Sequence, residues 1–162
     1  MMVTKRRFSA LLTAILVAAA AIHAFSADKR PGYTGWFWAR EIDAVTGVVR
    51  FVFITDAMRP NRDFYHKLEI VYFEADGHWT WGVLRYDQNA RQEGEEVTYR
   101  LGKEVPITET FRYASDQYLC LDVDDMSTFL KYPVISLQLD DGIWQFDMSG
   151  LKATLLMAGL QP

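Results

Sequence analysis

Two Asp-Gly pairs, each set between runs of strand-forming residues, do most to limit what this chain can fold into. The first separates "LEIVYFEA", 68–75, from "HWTWGVLRY", 78–86, at Asp76-Gly77. The second separates "VISLQL", 134–139, from "IWQFDM", 143–148, at Asp140-Asp141-Gly142. Glycine accepts the positive φ that a tight primed turn requires, so each pair predicts an antiparallel hairpin. "VVRFVFIT", 48–55, is apolar on both faces apart from Arg50, which predicts a strand covered on both sides. "EVTYRL", 96–101, and "ITETFRY", 107–113, alternate polar with apolar or aromatic residues, as half-buried strands do. The spacing predicts about eight short strands in one antiparallel β-sandwich, with a small lipocalin-like barrel as the alternative.

The connections are polar. Residues 56–67 carry Pro60 and Asn61 and have room for a helical turn, and 87–96 reads as a charged loop around Gly94. Two short helices are expected. One lies near 125–131. The other lies near 150–160 in "SGLKATLLMAGL", with Ser149 as candidate N-cap. Lys152 is the only strongly polar residue of that stretch, so the helix is expected to bury most of its surface.

The N-terminus reads as a signal peptide. Lys5, Arg6 and Arg7 precede an apolar run from Phe8 to Ile22, broken only by Ser9 and Thr13, and Ala24 and Ser26 mark cleavage before Ala27. The run falls short of the roughly 20 apolar residues of a membrane span, so an uncleaved anchor is the lesser reading. The expectation is a signal peptide over 1–26 and one mainly β domain over 27–162, periplasmic or secreted. All 21 acidic residues follow the leader, which holds three of the 17 basic ones, so the remainder carries 14 against 21, a net charge of −7. A surface this acidic with no basic block speaks against nucleic acid as a partner. The single cysteine cannot close an intramolecular disulfide, which suits a bacterial exported protein held together by its core.

"LCLDVDDMSTFLKYP", 119–133, looks most like chemistry, with Cys120, Asp122, Asp124 and Asp125 close together. In a strand, Leu119, Leu121 and Val123 share one face, and Cys120 and Asp122 the other. Met126, Phe129 and Leu130 then form one stripe of a short helix. Asp124 or Asp125 is placed to cap it, Lys131 meets its C-terminal end, and Pro133 stops it. A calcium loop needs a glycine at its sharp turn and a downstream glutamate, and neither is present, so no metal site is expected here.

After cleavage only His66 and His78 remain, without metal-type spacing. Paired with an aspartate in a cleft, either would support a hydrolase, the least favoured reading; Cys120 is expected to be a buried structural residue. No nucleophile elbow, phosphate loop or dinucleotide fingerprint occurs, so no catalytic residue or cofactor is assigned. The candidate ligand-binding residues are two tryptophan pairs, Trp36 with Trp38 and Trp79 with Trp81, each on one strand face. They form either a stacking platform or part of the core, and the burial habit of tryptophan favours the core.

The segment from Cys120 to Leu156, "CLDVDDMSTFLKYPVISLQLDDGIWQFDMSGLKATLL", resembles the C-terminal part of the invasion-associated locus B family. The resemblance lies in a Cys-bearing strand, a short helix with Met or Phe, an apolar strand and the ending "FDMSGLKATL". It implies a small exported bacterial β-sandwich and no particular reaction. "GWFWARE", 35–41, resembles the first strand of lipocalin-like barrels, which implies an apolar ligand cavity. The favoured expectation is a non-enzymatic exported protein acting by contact with another exported or envelope protein. A lipocalin-like carrier of a small apolar molecule is the second reading.

Overall fold

A computed structural model describes residues 30–32, 35–58, 66–85, 94–114 and 117–161. The expected leader, most of the 56–67 connection and most of the 87–96 loop lie outside the described residues.

The chain is mainly β, as its turn signals predict. Among the described residues ten strands follow one another: β1 (Arg30–Pro31), β2 (Trp36–Ile42), β3 (Val49–Asp56), β4 (Lys67–Phe73), β5 (His78–Leu84), β6 (Glu95–Leu101), β7 (Ile107–Tyr113), β8 (Tyr118–Val123), β9 (Val134–Leu139) and β10 (Gly142–Asp147). A 3-10 helix, Met126–Lys131, separates β8 from β9, and helix α1, Leu151–Met157, follows β10. The strands form one sheet in the order β1-β2-β3-β4-β5-β8-β7-β6-β9-β10, and every pairing is antiparallel.

Both hairpins expected from Asp-Gly are present, with different loops. Between β4 and β5 the last pair is Phe73 with His78, so the loop has four residues. Gly77 takes φ 72° there and the Asp76 carboxylate accepts the His78 amide at 3.1 Å. Between β9 and β10 the pair is Leu139 with Gly142, so Asp140-Asp141 is the whole loop and Gly142 opens the next strand.

β7 joins two halves of the sheet. It pairs with β6 along most of its length but with β8 only through Arg112 and Tyr113. The halves enclose an aromatic core. Trp81 is fully buried and meets the rings of Tyr99, Phe111 and Phe129 at 5.0, 5.1 and 5.1 Å. The pairing also returns on itself. Ala57, just past β3, bridges to Phe146 of β10, and the Met58 amide donates to Gln145 O at 2.8 Å.

The 3-10 helix buries Met126 and Phe129 in this core, and α1 buries Leu151 and Leu155 in it. Asp125 is the cap of the 3-10 helix, accepting the Ser127 amide at 2.9 Å. Two expectations for the C-terminal helix need correcting. Its N-cap is Gly150; Ser149 instead donates its amide to the Asp147 carboxylate at 2.8 Å, held in the turn that precedes the helix. The helix buries one side only, with Leu156 and Met157 more than half exposed. Leu151, Thr154 and Leu155, at i, i+3 and i+4, turn one side to the core, and the rest of the circumference faces away from it.

Candidate functional site

The strand alternation in β3, β4, β5 and β8 places apolar side chains on both faces of the sheet. One face supplies Phe51, Phe53, Leu68, Ile70, Trp81, Val83 and Leu119 to the main core. The opposite face carries a second cluster made of Val52, Ile54, Val71, Leu84, Tyr118 and Cys120, with Phe73 and Ala114 packed against it. Every member of the second cluster comes from the sheet or its immediate turn, and neither described helix contributes to it.

The register turns this face into rows. One row runs Ile54, Glu69, Gly82, Cys120, Arg112 across β3, β4, β5, β8 and β7. Gly82 lies between Glu69 and Cys120 in this row. A Cβ at Gly82 would come within 2.1 Å of Leu119 O and 2.7 Å of the Cys120 Cα, so the close approach of β5 to β8 admits no side chain. Glu69 stands beside Gly82 on β4. Part of the residue reaches solvent, yet burial of its carboxyl, partly offset by Arg50 and reinforced by Glu41, pushes its pKa up to about 8. Burial likewise pushes the Cys120 thiol up to about 12, so the sulfur is a buried apolar surface at neutral pH and a poor nucleophile.

Ion pairs ring the face. Arg50 donates to Glu41 at 2.7 Å at one corner, and Lys67 pairs with Asp56 at another. On the β8 side Asp122 accepts from Arg112 at 2.6 Å and lies 3.1 Å from His78 Nε2, linking β7, β8 and β5. Burial is the largest single influence on Asp122 and raises it, but the hydrogen bonds from Arg112 and His78 together hold its carboxyl below the usual range. Asp122 is thereby assigned a cross-strand role, distinct from the capping role of Asp125. Among the described residues no group of three or more His, Cys, Asp or Glu side chains gathers as a metal site would require.

A buried polar cluster closes one end of the main core. His66 is 1% exposed; its Nε2 lies 2.7 Å from Asp141 Oδ2, and Trp144 Nε1 donates to the other Asp141 oxygen at 2.8 Å. Burial raises the Asp141 carboxyl, but these bonds to His66 and Trp144 hold it below its ordinary value. Arg85, also buried, donates through Nη1 to both oxygens of Glu95 at 2.8 and 3.0 Å and lies 3.6 Å from Asp140. The two adjacent carboxylates of the β9–β10 loop thus hold two separate basic side chains. Both histidines meet a carboxylate, as a hydrolase would need, but His66 is sealed from solvent and His78 sits in an exposed ladder with Arg112.

The tryptophan pairs lie in or against the main core. Trp36, Trp38 and Trp81 are buried, and Trp79 packs on it from the edge, 4.6 Å from the Tyr72 ring. Trp36 Nε1 donates to Asp147 O at 3.0 Å, fastening β2 to the end of β10. The second face was visible in sequence only through the doubly apolar "VVRFVFIT". Glu69 gave no signal, because its setting depends on Gly82 and Arg50 from neighbouring strands. Comparison of the chain with family models, curated proteins and solved structures finds no match.

Proposed function

We propose that the protein is an exported contact module that binds an apolar segment of another exported protein on the second face of β3, β4, β5 and β8. The observation that carries this reading is the arrangement of that face. An apolar centre lies away from the core, and ion pairs from five strands surround it. Protein contacts that form and release are built this way, with a desolvated apolar middle and a polar rim. Tyr118, whose hydroxyl lies 3.4 Å from Thr80 Oγ1, adds an aromatic ring to the centre. The acidic balance of the chain after its leader favours a partner segment flanked by Lys or Arg.

The test uses the chain beginning at Ala27 as bait for envelope proteins, beside variants Val71→Arg and Ile54→Arg. Each variant puts a charge in the apolar centre while leaving the main core untouched. Partners that bind the parent chain and are lost from both variants, with unchanged near-ultraviolet circular dichroism, support the reading. Partners retained by both variants overturn it.

A further inference from the structure

The seam where β10 meets the end of β3 is thinly made. Among the described residues its backbone contacts are the bridge between Ala57 and Phe146 and the bond from the Met58 amide to Gln145 O. β9, the other strand of the same hairpin, pairs with β6 as far as Gln138, so the tip from Leu139 to Ile143 projects past it.

Charge holds that tip. Lys67 pairs with Leu84, so the next pair outward sets His66 opposite Arg85. Alternation turns both toward the main core, in step with Leu68 and Val83, and each is 1% exposed. Directly opposed residues have Cβ atoms ~5 Å apart, so two basic side chains are buried next to each other. Arg85 has a counter-charge within the sheet, Glu95 of β6, which the Tyr113 hydroxyl of β7 also bonds at 2.7 Å. Asp140 of the tip lies 3.6 Å from Arg85 as well. Among the described residues the charge that faces His66 is Asp141 of the tip, and the His66 Nδ1 makes no hydrogen bond. Trp144 braces the pair. Its ring meets His66 edge-on at 4.4 Å, and its Nε1 bonds the second Asp141 oxygen.

Taking away one partner of a buried pair leaves the other charge uncompensated, which costs far more than losing an exposed pair. With Asp141 neutral, a charged His66 stands beside Arg85 without a counter-charge of its own, and lifting the tip lets water reach the imidazole. We propose that the β9–β10 hairpin is an acid-released latch: neutralising Asp141 frees its tip from His66 and opens the seam between Ala57 and Phe146 while the rest of the sheet stays paired. Release bares Trp144 and offers the backbone groups along the outer edge of β10 to another strand. The direction follows from Asp141. Burial raises its carboxyl, but the bonds from His66 and Trp144 hold it below 3.8, so its contribution is full above that value and is lost as pH falls through the lower, folded one. The latch lies on the core side of the sheet and works independently of the second face.

The experiment follows hydrogen exchange by nuclear magnetic resonance in the full chain between pH 7 and pH 3, corrected for the intrinsic pH dependence of exchange. The Trp144 indole N–H and the Met58 amide report on the latch. The amides of Ile70 and Trp81, in the middle of β4 and β5, report on the sheet. The latch reporters are expected to lose protection at least about tenfold in acid while Ile70 and Trp81 keep theirs. Asp141→Asn is expected to move that loss to higher pH, since the counter-charge is already gone, and His66→Gln combined with it to abolish the loss. Four reporters failing together in the parent chain mean ordinary acid unfolding and overturn the proposal. An Asp141→Asn chain with the parent's midpoint overturns it too, as does a double variant that still opens in acid. If Asp141→Asn does not fold, His66→Gln alone decides: a latch that stays closed in acid supports the proposal, and one that opens as the parent does overturns it.

Discussion

At the scale of single residues, the burial of Glu69 has a sign that is worth following. Its carboxyl titrates near 4.5 when unfolded and near 8 when folded. Between those values the folded chain keeps a proton that the unfolded chain gives up, so unfolding releases it and stability falls as pH rises through this window. Urea midpoints measured at pH 5 and pH 8 should show the parent losing stability, and Glu69→Gln should flatten that loss. Asp125 behaves in the opposite sense. Hydrogen bonds from Ser127, with help from Lys131 and Thr128 against a small burial penalty, hold its carboxyl below 3.8, so its contribution is present at neutral pH and lost in acid. Asp125→Ala should lower the urea midpoint at pH 7 through loss of the cap, and Asp124→Ala should lower it much less. The cap was legible because capping is local, whereas His66 and Asp141 stand 75 residues apart and nothing near either announces the other.

At the scale of elements, the close contact between β5 and β8 depends on Gly82. A methyl group there has no room beside Leu119 O and the Cys120 Cα, both of them backbone atoms that cannot step aside. Gly82→Ala should therefore cost at least about 3 kcal/mol, measured as the shift in urea midpoint, and should loosen β8 first. Gly47→Ala offers a contrast, since its cost comes from a positive φ of 71° with open space around the added carbon. Strand and hairpin positions were readable because Asp-Gly pairs and residue alternation act over a few residues. The insertion of β8 between β5 and β7 was not, because pairing across 40 residues leaves no local trace. "VVRFVFIT" is the exception, as a strand buried on both sides must be apolar on both sides and says so in its own composition.

At the scale of the whole molecule, Trp81 spans the space between the two halves of the sheet through its contacts with Tyr99, Phe111 and Phe129. Trp81→Ala should cost about 3–5 kcal/mol, and calorimetry should show one cooperative transition at a lower temperature. The bridge between Ala57 and Phe146 has a different consequence. It ties the far end of the sheet back to β3, so the strands from β3 to β10 form a ring of backbone bonds. β1 and β2 lie outside that ring, paired to β3 and fastened to the end of β10 by the Trp36 indole. Amide hydrogens within the ring should exchange more slowly than those of β1 and β2 at the edge of the sheet. A pull on the described chain at Arg30 therefore reaches the edge of the sheet before it reaches the ring.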